Sequence, residues 1–455
     1  MDISFLRKMF KDKEYFKTLI LISIPIVLQN IIASSLNMLD TLMVGRLGEA
    51  EIASVGIGNQ VFLLFNVMIL GLSGGCGIFI SQYWGQEDVK NIRRVMGVSL
   101  ISGVVISSIF TVIMLLFSRQ IVSIFNIDPV VIENGSIYLK TVSLSYIFTA
   151  ITFCIANASR SIERAIPPMI VSFLALICNG TINYILIFGK LGFPAMGVKG
   201  AAIGTVISRG FEALVLTLYI IKSNKVLLGS ASGLTDFTKD FVIKIYKIVS
   251  HVVLNDMFWA LGMIIYSVVY GRMGTKELAS IQIYNTILNF FTVLMLGIAS
   301  TAIVMIGKQI GSGDEEKAKR YGYQFVVLSV LIGIVLSLIM ALTAPLVVNI
   351  FDVSTEVKHY TKMIMYVISI IFTIRFVNVV MIIGVLRGGG DAKYGLYIDL
   401  FAMYVIGIPL AIIGAFVFKL EVYWVVALIT TEEVFKFTAV IKRLKSNKWI
   451  RNISN

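Results

Sequence analysis

Apolar residues run along this chain in long blocks broken at charged or Gly/Pro-rich points, and the blocks predict helices that cross a bilayer. Twelve spans result, over 16–43, 51–82, 94–117, 133–159, 166–188, 197–221, 244–270, 277–307, 321–346, 358–386, 394–418 and 421–441. In the first, Asn30, Ser34, Asn37 and Thr41 follow one another at steps of four, three and four, with Asp40 three beyond Asn37. That spacing predicts one polar helical face turned inward. Pro25 removes a backbone donor five residues before Asn30, so the helix can bend where its polar face begins. A carboxylate at membrane depth costs at least about 2.5–3.5 kcal/mol on insertion scales. Asp40 therefore predicts an ion or substrate path, the alternative being a kinked helix with a satisfied polar seam.

The pattern repeats. A shift of 226 residues lays VGRLGEAEIAS (44–54) on YGRMGTKELAS (270–280), and the register continues through Asn59/Asn285, Gly71/Gly297, Gly85/Gly311, Asp88/Asp314 and Arg94/Arg320. One residue further in offset, Arg160 meets Arg387. A run shared over about fifty residues indicates duplication. Six spans per half bring both halves into the membrane in the same sense, so their pseudo-two-fold axis lies along the membrane normal. The domain reading is an N-lobe over 1–222, a cytoplasmic linker over 223–243 and a C-lobe over 244–455.

Composition agrees with an all-α integral membrane protein of two pseudo-symmetric six-helix bundles: 57% hydrophobic, 14% charged, mean hydropathy +0.89. The net charge of +13 would suggest nucleic acid in a soluble chain, but basic, aromatic-interleaved patches are absent. Of 39 Lys and Arg, 27 fall on the side of the N-terminus, 10 on the other, and Arg209 and Arg375 inside spans, which predicts cytoplasmic termini. The basic start MDISFLRKMFKDKEYFK precedes an apolar run with no small-residue cleavage site, so it reads as the approach to the first span. Cys76, Cys154 and Cys178 lack metal spacing and read as small hydrophobes. His251 and His359 are isolated, and the glycine-rich GVLRGGGDAK (384–393) lacks GK[ST], so hydrolase and phosphate-loop chemistry have no support.

Polar residues at membrane depth are the candidate chemistry. Asn179, Asn183 and Thr205 could join Asp40 to offer four oxygens, which suits sodium, while a lone carboxylate among amides suits a proton equally well. Under the repeat offset Asn30 lands on Asp256 and Asp40 on Tyr266. The seventh span sets Asn255, Asp256, Trp259, Met263 and Tyr266 at helical steps, an aromatic-and-carboxylate face suited to a lipophilic cation, or else a packed core face. Arg209 and Glu212 are three apart and read as an internal pair. Arg375 and Asn378 are also three apart, and Arg375 is expected to pair with Asp256 or Asp399.

IPIVLQN, MLDTLMVGRLG, SQYWGQED, NGTINYILIFGKLGFPAMGVKGAAIGTVISR, GVLRGGGDAKYG and the basic tail together resemble the multidrug and toxic compound extrusion (MATE) family over nearly the whole chain. The resemblance implies a secondary antiporter that expels organic cations or drugs by alternating access, in exchange for protons or sodium, in a bacterial cytoplasmic membrane. It implies cation coupling at Asp40, Asn179, Asn183 and Thr205, with any sodium held there, and a hinge at Pro25. Asn30, Asn37, Asn255, Asp256, Trp259, Tyr266 and Asn378 are the expected substrate contacts. No cofactor is expected beyond the coupling ion, and the partners are small organic cations and the lipid bilayer, with no nucleic acid, for a monomer. A tenth-helix aspartate seen in one branch has no counterpart in IRFVNVVMIIGVLRG. A lipid-linked oligosaccharide or lipid flippase of the same superfamily is the alternative, and it calls for a cavity rich in Arg and Lys.

Overall fold

A computed structural model describes residues 12–223, 226–229, 231–351 and 353–454, the side chains of Asn37, Glu49, Ala231 and Ser232 excepted. The expectation for Asn37 thus lies outside the described side chains. Among the described residues the regular structure is helical, without strands. The first half holds α1 Lys13–Gly45, α2 Glu49–Gly85, α3 Val89–Phe125, α4 Pro129–Ser143, α5 Ser145–Ser161, α6 Ile166–Phe188, α7 Gly197–Ser223 and the short α8 Ala231–Thr235. The second holds α9 Lys239–Met273, α10 Thr275–Gly311, α11 Glu315–Val348, α12 Thr355–Leu386, α13 Ala392–Val417, α14 Val422–Ile429 and α15 Thr431–Lys445. Helix α12 ends in a π-helical stretch from Val380, and α13 contains two more.

Ten of these helices are long and apolar enough to cross a membrane, and exposed Ile20, Leu21, Ile24, Leu28 and Ile31 on α1 show the kind of surface that hydrocarbon covers. Two predicted spans differ from plain helices. The fourth is α4 and α5, bent by 45° at Leu144. Hydroxyls enter the backbone ladder there: Ser143 and Ser145 donate to Lys140 and Val142 carbonyls, and Thr111 of α3 donates to the Ser143 carbonyl at 2.9 Å. The twelfth is α14 and α15, broken at Thr430, and Glu432, Glu433 and Lys436 interrupt its apolar run.

Packing divides the chain into an N-terminal unit, Ile24–Val253, and a C-terminal unit, Met1–Ser23 with Leu254–Asn455. Both divisions fall inside helices, α1 and α9, and the expected linker contains α8 and the start of α9. Tyr15 explains the first: it is fully buried against Tyr321 and Phe325 of α11. Val249 on Gly75 and Tyr246 bonded to Ser102 hold the start of α9 to the N-terminal unit.

The duplicated register survives as equivalent local structure. Asp88 caps α3 by accepting from the Asn91 N–H, and Asp314 caps α11 from the Lys317 N–H. Each half also covers its third span with chain that follows its sixth. The Leu234 backbone of α8 lies against Gly97, and Arg94 donates to Asp236 at 2.8 Å. Trp449, fully buried, lies against Gly322 and Gly389. Buried Asp391 holds that tail through Arg443 at 2.7 Å and Arg451 at 3.1 Å. The glycine-rich run is therefore a seat for an indole, with Gly390 at φ 81° making the turn.

Candidate functional site

The buried face of α1 runs through Ile22, Ile26, Gln29, Leu36, Asp40 and Val44, at three-, four- and seven-residue steps. The expected polar stripe is not the face that packs: among the described side chains Ser34 and Thr41 are exposed and Asn30 is half-buried, while Gln29 and Asp40 are buried. Pro25 is itself buried, and α1 continues through it without a break, one residue beyond the unit boundary.

The four residues expected around Asp40 meet there. Asn183 donates its amide N–H to Asp40 Oδ1 at 2.5 Å, and the Thr205 hydroxyl donates to Oδ2 at 3.3 Å. The same Asn183 nitrogen reaches Asn179 Oδ1 at 3.2 Å, and Asn179 donates to Ser208 at 3.3 Å. All four residues are buried, and Asn183 Oδ1 has no hydrogen-bond partner. Gly204 makes the approach possible, because a Cβ there would collide with Asn183 Oδ1. Among the described residues, none of the ion pairs includes Asp40. Tyr138, packed on Gly58, lies within electrostatic reach of it, a neighbour that sequence reading did not find.

A second chain of contacts begins at Gln29. Arg160 donates to Gln29 Oε1 at 2.5 Å, Gln29 donates to Ser172 at 3.0 Å, and Ser172 donates to Glu212 at 2.7 Å. Arg209 closes it on Glu212 at 2.9 Å, the internal pair expected from their spacing.

In the C-terminal unit the face expected on the seventh span separates into two. Asn255 and Tyr266 are buried, whereas Asp256 is partly exposed and Trp259 is 49% exposed. Asp256 pairs with Arg387 at 2.6 Å, and Arg387 also donates to Asn255 at 2.7 Å. Asn255 donates to Asp399 at 2.9 Å, Lys436 lies 3.7 Å from Asp399 and 3.4 Å from Glu432, and Tyr266 donates to Glu432 at 2.8 Å. The expected pairing of Arg375 with Asp256 or Asp399 does not form, because Arg387 and Lys436 hold those carboxylates; the charges facing Arg375 are Glu433 and Glu432. Asn378 donates to the Glu433 carboxylate at 2.7 Å and to its backbone carbonyl at 2.8 Å. The carboxylate in the cleft with Trp259 is Asp399, beside Asn255, Phe258, Tyr404 and Lys436.

Sequence reading missed the buried Gln29, Glu432, Lys436 and Arg387 and the half-buried Arg160 and Glu433. The signal for three of them was present: EEVFK places two acids and a base at helical spacing inside the twelfth apolar block.

Long apolar helices enclosing hydrogen-bonded polar groups and the buried carboxylate of Asp40, which has no ion pair among the described residues, define a multi-pass membrane protein. The MatE family model matches residues 25–185 and 252–413, both halves of the duplication, and the chain belongs to the MATE family of transporters. The probable multidrug resistance protein NorM of Thermotoga maritima is 24% identical over 96% of this chain and 93% of its own. The uncharacterized transporter YisQ of Bacillus subtilis is 24% identical over 90% of each. The fold is similar to that of the Vibrio cholerae MATE transporter VcmN in the bent form, with a TM-score of 0.86 at 16% identity over 96% of this chain and 99% of that one.

Proposed function

We propose that the protein exports small organic cations across the bacterial cytoplasmic membrane by alternating access, in exchange for protons bound at Asp40. The observation that carries this reading is a buried carboxylate held by neutral donors and in no ion pair among the described residues, whose charge an incoming ion can cancel. Binding a proton removes the cost of the buried charge and changes what Asn183 and Thr205 can donate to, which biases one helix arrangement over another. Pro25, beside the point where α1 leaves the packing of the C-terminal unit, supplies a helix position with a missing backbone bond. The relatives' designation as multidrug resistance proteins supports the substrate class. Trp259, half exposed, and Asn255, beside Asp399, are the substrate contacts that this reading keeps in the C-terminal unit, while Asp256 and Tyr266 serve the scaffold. The basic tail and inner segments support cytoplasmic termini.

Sodium is the second reading, and Asn183 Oδ1 favours it: this buried oxygen has no donor and could join Asp40 and Asn179 oxygens around a cation. Donor groups facing Asp40 speak for the proton, since a sodium site needs those amides turned to present oxygen. A flippase is disfavoured because Arg209, Arg387 and Lys436 are each spent on a carboxylate. The deciding experiment measures ethidium export from proteoliposomes with an imposed sodium gradient and an ionophore holding pH equal on both sides. Export under a pH gradient and none under the sodium gradient is expected; robust export under sodium alone overturns proton coupling.

A further inference from the structure

We propose that the cleft between the end of α11 and the start of α12 binds an anionic phospholipid, whose headgroup phosphate is held by Lys358, His359 and Lys362. The cleft offers about 260 Å³ of water-accessible room. That is well beyond the ~10–15 Å³ one water needs, so it is larger than a packing defect. Its polar lining is Asn349, Thr355, Lys358, His359 and Lys362, and no acid is among its described lining residues. Both lysines are half-buried, and among the described residues neither is in an ion pair. Glu356, the acid nearest to them in sequence, is paired with Lys276 and accepts from the Tyr360 hydroxyl at 3.4 Å. Two lysines one turn apart on a helix repel each other, and Lys358 stands in the first turn of α12, where the macrodipole opposes a cation. A bound phosphate relieves both costs.

The duplicated fold does not require these cations. Helix α4 begins 226 residues before α12 and carries Ile132, Glu133 and Ser136 at the corresponding positions. Nor does the general bias of basic residues toward one side account for them. In the topology read from the sequence, they are two of only 10 Lys and Arg, out of 39, on the side away from the termini.

The surroundings of the cleft make the ligand a lipid. Helix α12 is a membrane span from Thr355 onward, and aromatic rings of the kind that sit at headgroup level gather at its start. Tyr423 of α14 lies 6.3 Å from both His359 and Tyr360 and 5.7 Å from the exposed Trp424. Along α11, exposed Val335, Leu338, Leu342 and Leu346 follow one another at three- and four-residue steps, an apolar column leading to Pro345 and Val348 in the cleft wall. A phospholipid fills both parts, its phosphate among the lysines and an acyl chain along the column. Free phosphate uses only the first.

Lipid binding at this cleft goes beyond the antiport reading and is measured without transport, so the two fail separately. Native mass spectrometry of the delipidated full-length protein, titrated with phosphatidylglycerol, is expected to show one tightly held lipid. Phosphatidylcholine, glycerol phosphate and inorganic phosphate are expected not to displace it. At about fivefold per lysine beside an anionic surface, Lys358→Gln combined with Lys362→Gln should weaken binding about thirty-fold, and Lys362→Gln alone about fivefold should the double variant fail to fold. Lys358→Arg with Lys362→Arg should retain it. Lys190→Gln with Lys199→Gln removes the same charge from exposed positions and should leave binding unchanged. An equal loss in that control, equal binding of phosphatidylcholine, or displacement by either free phosphate compound overturns the site.

Discussion

The two halves of this transporter share a scaffold and differ in where they keep their charge. In the N-terminal unit the first helix supplies the acid, Asp40, and neutral Asn183 and Thr205 hold it. In the C-terminal unit the equivalent first-helix position is Tyr266, and the acid, Glu432, stands on the last helix beside Lys436. Arg160 on neutral Gln29 corresponds to Arg387 on Asn255 and Asp256. Duplication thus preserves which helices touch, since ridges and small residues set that, but not which side of a contact is charged. An amide-lined carboxylate can lose its charge to a single ion. A carboxylate tied to lysine and arginine resists doing so.

The largest break in the comparison should come from Asp40→Asn against Tyr266→Phe. The first is expected to reduce gradient-driven export to background and the second to leave most of it; equal losses in a proteoliposome assay would show that the halves are not functionally distinct. Next are the segments that cover each third span. Trp449→Ala empties an indole seat and should cost about 3–5 kcal/mol, whereas Leu234→Ala, half-buried, should lower the thermal midpoint far less. Asn183→Leu leaves Asp40 Oδ1 without its donor and should cost about 1–3 kcal/mol, with a shifted pH profile of export. Asp256→Asn should cost a similar amount by stranding Arg387, and should weaken cationic and neutral substrates alike; selective loss of cations in a binding assay would return Asp256 to the substrate site. The smallest effect concerns α8. The Arg94 hydrogen bond holds Asp236 below the usual carboxylate range, so that contact is complete above the ordinary carboxylate value and is lost only as pH falls through the depressed one. Asp236→Asn should therefore change α8 proteolysis slightly at neutral pH and not at all in strong acid.

Much was legible in the residues themselves. Block hydrophobicity marked the membrane helices, because every backbone group in a bilayer must be satisfied within its own segment. The 226-residue register exposed the duplication, and Asp40 with Asn179, Asn183 and Thr205 emerged as a group. What depended on tertiary structure was the phase and the pairing. Helical spacing placed Asn30, Ser34, Asn37 and Thr41 on a common face but could not say that the neighbouring face, through Gln29 and Asp40, is the one that packs. Nor could it match acids to bases: Asp256 finds Arg387, and Asp399 finds Lys436, across more than thirty residues of chain. Periodicity is a property of one helix, read from consecutive residues. Ion pairing depends on which helices approach and how far each is rotated, and only the packed fold decides both.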